Sequence, residues 1–166
     1  MSVGAAPRSR HTEIVMAGLR ISLGVLFLSV WAENLNKGLY GADAYAGLIR
    51  SYAEEGAAPS VWKELMGAIA DGAAVFSKLQ LVTELALGVL LTLGLFTRVA
   101  AGVACAYLTS LWISEVGVPD EWIWSLVFPA LLALAVALLA EARAYSLDER
   151  LLGRPPLDRL PAWLRG

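Results

Sequence analysis

The chain has 166 residues, of which 58% are hydrophobic and 17% charged, with a formal net charge of −2. A soluble domain of that composition would leave too much apolar surface in water, and a charge so near zero excludes a nucleic-acid-binding surface. One histidine, His11, and one cysteine, Cys105, exclude a bis-histidine haem, an iron–sulfur cluster, a Cys/His zinc site and an internal disulfide within this chain alone.

These limits predict an all-α membrane protein: a four-transmembrane-helix bundle forming a single domain over residues 1–166, with a long outer loop carrying short amphipathic helices. The first predicted span covers 14–35, after Arg8 and Arg10, and stops at Lys37-Gly38. It is too long for a signal-peptide core and lacks a clear small-residue cleavage site, so it reads as a retained helix. Arg20, Gly24, Phe27, Trp31 and Asn34 share one of its faces. Glu33 points elsewhere, with Lys37 one turn on, and reads as an ordinary ion pair at a helix end.

The outer loop, 38–74, holds two runs at helical spacing. Tyr45, Leu48, Ile49 and Tyr52 form one, and Val61, Trp62, Leu65, Met66 and Ile69 the other. Both suit short amphipathic helices on the outer membrane surface, either packed there or serving as a lid. The second span is predicted over 75–97 and the third over 99–115, where Ala101, Cys105, Leu108, Trp112 and Glu115 share a face. So short a turn makes these two spans antiparallel neighbours. Pro119 and Asp120-Glu121 break the chain before the fourth span, 122–140, in which Pro129 frees the carbonyl of Ser125 and favours a kink. Residues 141–166 form a tail rich in arginine.

Arg8 and Arg10, Arg98, and then Arg143, Arg150, Arg154, Arg159 and Arg165 all fall on one side of such a bundle. Short cytoplasmic loops collect basic residues, so both termini are expected in the cytoplasm of a multi-pass cell-membrane protein. The tail reads as a surface anchor with its arginines near lipid phosphates, or as a partner-binding arm.

An ionisable group inside a span costs about 3 kcal/mol or more and needs a reason. Glu84 stands about 18 Å above the inner end of its helix, just past the midplane, where a short carboxylate needs a proton or a donor from a neighbouring helix. Asn34 and Trp31 are its expected neighbours from span one, and Trp112 and Glu115 from span three. Arg20 and Arg98 are read as structural polar residues in the membrane, and Trp122 and Trp124 as an interfacial belt. The outer-half cavity sketched by Glu84, Trp31, Asn34, Trp112 and Glu115 would suit a flat lipophilic molecule such as a quinone, with Glu84 taking or giving a proton. A plain helix-to-helix bond between Glu84 and Asn34 fits the same residues.

The segment 84–98, ELALGVLLTLGLFTR, resembles the signature of the DoxX and DoxD membrane proteins. Arg20, Gly24, Phe27, Leu28 and Lys37 resemble that family's first span, and Tyr145-Ser146-Leu147-Asp148 the motif after its last. The long segment between spans one and two is more like the DoxD type, the small subunit of thiosulfate:quinone oxidoreductase. Departures lie at Trp31-Ala32-Glu33 and Glu141-Ala142-Arg143-Ala144, where relatives are richer in glycine. The resemblance implies a quinone-binding membrane subunit of an oxidoreductase acting on thiosulfate or a similar small reductant. It has no covalent cofactor of its own, and its partners are membrane lipid, quinone and a second subunit, with a homo-oligomer also open. The alternative is a non-enzymatic scaffold or assembly factor.

Overall fold

The computed structural model describes residues 9–151. Arg8, Arg154, Arg159 and Arg165, and with them most of the predicted tail, lie outside the described residues. Within them the chain is helical, with no strand. In order come α1 (Arg10–Asn36), α2 (Ala42–Glu55), α3 (Ser60–Asp71), α4 (Ala73–Leu93), α5 (Thr97–Glu115) and α6 (Trp124–Leu138). A 3₁₀ turn (Ala140–Arg143) and the short α7 (Leu147–Leu151) follow. By length and composition, α1 and α4 are apolar enough to cross a membrane, while α6 is apolar but shorter.

Many large apolar side chains face outward in this fold, while a few polar ones are buried. Val25, Val82, Val103 and Leu131 are exposed, while Arg20, Ser77, Glu84 and Thr97 are among the most completely buried side chains. Apolar residues also fill the interior, where Leu23, Phe27, Leu87, Leu91 and Leu108 form one core with small alanines.

The helices pack as two close pairs, α1 along α4 and α5 along α6, and the consecutive helices α4 and α5 touch less extensively than either pair. Small residues permit the close approaches, which bring backbones into dispersion contact. Ala100, Ala101 and Ala104 of α5 and Ala130 and Ala133 of α6 are buried. On α1, a methyl group added at Gly24 would meet the Thr92 main-chain nitrogen at 2.6 Å and the Gly88 carbonyl oxygen at 3.0 Å.

The turn between α4 and α5 comes earlier than the predicted boundary near residue 98. Gly94 adopts a left-handed conformation at φ +69°, and the Leu95 N–H reaches back to the Leu90 carbonyl at 2.8 Å, which ends α4 at Leu93. The last long helix is also shorter at both ends than the predicted 122–140, since Leu139 turns extended after Leu138. Pro129 lies inside it.

Two charged residues clamp this turn. Arg20 donates from Nη1 to the Leu91 carbonyl at 3.0 Å, so its positive charge meets the negative end of α4. Asp148 accepts from the Phe96 N–H at 2.8 Å and the Thr97 N–H at 2.7 Å, capping the N-terminus of α5 from a distant part of the chain. The Asp148 N–H in turn donates to the Gly94 carbonyl at 2.9 Å. Arg98 donates from Nε to the Ala137 carbonyl at 3.0 Å, at the C-terminal end of α6. The Arg-Gly, Thr-Arg and Ser-Leu-Asp stretches thus meet at one end of the bundle and have a structural use there.

Two stability losses are expected. Gly24→Ala should cost about 1–3 kcal/mol by overpacking the α1–α4 seam, measured by reversible unfolding in detergent, whereas Gly18→Ala, which meets open space, should cost far less. Asp148→Ala should cost about 2 kcal/mol by orphaning the Phe96 and Thr97 amides, with Asp148→Asn milder because one acceptor remains.

Candidate functional site

Near the middle of α4, Glu84 is only 1% exposed and gathers donors from three helices and a turn. Tyr107 of α5 donates its hydroxyl to Oε1 at 2.6 Å, and Gln80, one turn earlier on α4, donates Nε2 to the same oxygen at 2.9 Å. Asn34 of α1 donates Nδ2 to Oε2 at 3.2 Å, and the Tyr40 hydroxyl donates to Oε2 as well. Four donors match the roughly four lone-pair sites of a carboxylate. Among the described residues the ion pairs are Glu33–Lys37 and Arg50–Asp71, both exposed, so the partners recorded for Glu84 are neutral.

Tyr40 reaches this position through the turn after α1. Gly38 takes a left-handed φ of +70°, and the Gly41 N–H closes back onto the Gly38 carbonyl at 3.0 Å, which folds the intervening residues toward the bundle. Lys78 fixes the turn by donating Nζ to the Tyr40 carbonyl at 2.8 Å. Burial and the hydrogen-bonded Glu84 carboxylate hold the Tyr40 phenol well above the usual tyrosine range.

α2 and α3 form at the two amphipathic runs of the outer loop and pack over this end of the molecule. Tyr45, buried on α2, is also raised, first by burial and then by the charge of Glu84. Tyr52 donates its hydroxyl to Glu121 Oε1 at 2.8 Å, and Trp62 donates Nε1 to Ser114 Oγ at 2.9 Å. The Ala57 N–H donates to the Val116 carbonyl at 2.6 Å, so the α2–α3 connection is tied directly to the end of α5. These ties hold α2, with α3 beside it, so that α2 roofs the space below.

That space is a cavity of about 350 Å³ with Glu84 in its wall. Asn34, Lys37, Gln80, Ser114, Glu115, Tyr45 and Tyr52 bring polar groups to its lining, and Leu48, Ile49, Leu111 and Leu126 are among its apolar residues. A second, smaller cavity of about 70 Å³ meets Glu84 and Tyr107 from the α6 side, where Ser125 and Leu126 line it. Asn34, Glu84 and Glu115 therefore line one cavity.

The two tryptophans do not join them. Trp112 lines a separate groove of about 220 Å³ between α5 and α6, with Cys105 and Leu131. Five residues separate it from Tyr107, about 140° around a helix, so one side chain faces Glu84 and the other faces α6. Trp31 contributes its main-chain carbonyl, 3.4 Å from the Tyr40 hydroxyl, and its indole N–H is buried without a hydrogen-bond partner. Tyrosines take the place expected for indoles.

Sequence reasoning overlooked Tyr40, Gln80 and Tyr107. Gln80 stands one turn before Glu84 and was findable by helical spacing. Tyr107 was findable from the alternative α5 stripe Ala100, Ala104, Tyr107, Leu111 and Ser114. Nothing local points to Tyr40, because only the glycine turn brings it back. Comparison with protein-family models, with curated proteins and with solved structures finds no match.

The raised phenols carry a pH dependence. An unfolded tyrosine ionises near pH 10, whereas in the fold Tyr40, Tyr45 and Tyr52 hold their protons to higher pH. Above about pH 10 the unfolded chain therefore binds fewer protons than the native one, and stability falls as pH rises. Melting curves from pH 8 to 11 should show this decline, and Tyr52→Phe should make it shallower.

Proposed function

We propose that the chain is a four-pass membrane subunit of the DoxX/DoxD type, with α1, α4, α5 and α6 crossing the bilayer and α2 and α3 lying at its outer face. Support comes from the apolar residues that α5 and α6 expose, Val99, Val103, Phe128, Leu131 and Leu138 among them, far more than a water-facing surface carries. Both termini are then cytoplasmic, with the Arg20–Asp148 clamp at the inner end and Glu84 in the outer half.

In this reading the roofed cavity binds a quinone and serves a quinone-linked oxidoreductase that draws on thiosulfate or a similar small reductant. The observation that carries it is a buried carboxylate, bonded by two phenols and two amides, in the wall of a cavity of about 350 Å³. A lining of apolar side chains with a few polar groups suits a ring that carries oxygens. A bound quinone supplies a couple of two electrons and two protons, and electrons reach it from a reductant handled by a partner subunit.

The chain's own part is to position and protonate. Glu84 would exchange a proton with one oxygen of a bound ring. Because its acceptor directions are filled, one donor would have to give way to the ring, and the longest of the four bonds is that from Asn34 at 3.2 Å. Tyr107 and Gln80 hold Oε1, and Asn34 and Tyr40 hold Oε2, so the carboxylate keeps one orientation. Glu115 and Tyr52, farther along the cavity, face the outer end and connect it with Glu121 at the surface.

A second reading, a non-enzymatic scaffold for a partner protein, is favoured by the completeness of the Glu84 bonds: both oxygens already have donors from within the chain. In that case Glu84 only ties α1, α4 and α5 together.

Organic extracts of protein purified in mild detergent should contain quinone, and Glu84→Gln should leave a folded protein whose quinone reduction falls by about 100-fold. No quinone in the extract, together with no binding of added quinone, overturns the reading. Full activity in Glu84→Gln assigns the carboxylate to the scaffold role.

A further inference from the structure

Beside the roofed cavity lies another of about 320 Å³, bounded by α2, α3, α4 and α5. The two share Tyr45, Ile49, Gln80, Leu111 and Ser114 in their walls, so they adjoin along a common partition. Their chemistry differs. The roofed cavity holds Asn34, Lys37, Tyr52, Glu84 and Glu115, none of which lines its neighbour. The neighbour is walled mainly by Leu65, Met66, Ile69, Phe76 and Leu79, with Trp62, Thr83, Tyr107 and Ser110 as its own polar-bearing residues. Leu65, Phe76 and Leu79 are also exposed on the outer surface, so the apolar chamber reaches the side of the molecule that faces lipid in the four-pass reading.

From this partition we infer that the two cavities are one bipartite site for an amphiphile, with a polar ring beside Glu84 and a hydrocarbon tail running past Tyr45 and Gln80 through the chamber under α3 into the bilayer. The inference rests on the quinone-site reading and adds to it that the ligand carries a tail, and that the chain grips it. Gln80 is placed to couple the two halves, since its amide bonds Glu84 Oε1 while the residue lines both chambers. The tail's apolar surface leaves lipid for a protein wall of similar polarity, so its benefit comes from packing and from loss of freedom already fixed by the site. Trp62 and Ser114, both in the wall of this chamber, tie α3 to α5.

The test compares binding of a tail-less benzoquinone and the same ring with an isoprenoid tail of two units, by equilibrium dialysis against the full chain in nanodiscs. The native chain should hold the tailed ring at least tenfold more tightly after correction for its partition into empty nanodiscs. Thr83→Phe on α4, which fills the apolar chamber, should bring the ratio of the two affinities to near one, and Ser110→Phe fills it from α5 should the first variant fold poorly. Equal affinity of the native chain for both rings overturns the tail chamber alone and leaves the ring site standing. A tenfold preference that survives in a folded filling variant also overturns the chamber, whereas failure of the native chain to bind either ring overturns the ring site and this inference together.

Discussion

Much of this molecule is organised around one buried carboxylate. Glu84 is recruited by side chains from α1, the turn after it, α4 and α5, and each supplies a hydrogen bond from a neutral group. A short charged or acidic side chain in an apolar surround is costly unless every acceptor direction is filled, and unfilled directions would cost more than the bonds contribute when made. The need to fill them constrains the half of the fold around Glu84. Tyr40 must fold back, α1 must present Asn34 at its last turn, and α5 must present Tyr107 inward. The roof formed by α2 follows from the same geometry, since α2 begins as soon as Tyr40 has been delivered.

The opposite end of the bundle uses charge differently. Arg20 and Asp148 address helix ends, where the backbone itself leaves carbonyls and amides without partners. Their bonds fix the α4–α5 turn, and Gly94 makes room for them, because a side chain there would collide with the Arg20 guanidinium and Ser146. One end is thus a joint in which charged side chains meet helix termini, and the other a set of neutral donors beside open volume.

Helical character, the two amphipathic runs and the unusual status of Glu84 were legible in the sequence because periodicity and a carboxylate in an apolar run are local signals. Asn34 and Glu115 were legible as cavity residues for the same reason. The tryptophans misled because a helical stripe spans a broad arc, and Trp112 sits on the side of that arc turned toward α6. Tyr40 was invisible because its position depends on a left-handed glycine two residues earlier. Asp148 was legible only as part of a motif; its use as a cap for a helix that begins at Thr97 depends on how the chain closes in space.

Pairing of α1 with α4 has a consequence for biosynthesis. The carbonyl that receives Arg20 belongs to Leu91, and a weaker acceptor is the carbonyl of Tyr145 at 3.4 Å, so both emerge from the ribosome long after the guanidinium itself. A nascent chain whose first helix enters the bilayer on its own would expose that group to lipid throughout the interval. Under the four-pass reading, the opening helix has to wait beside the insertion machinery, or at the headgroup layer, until its companion has been translated.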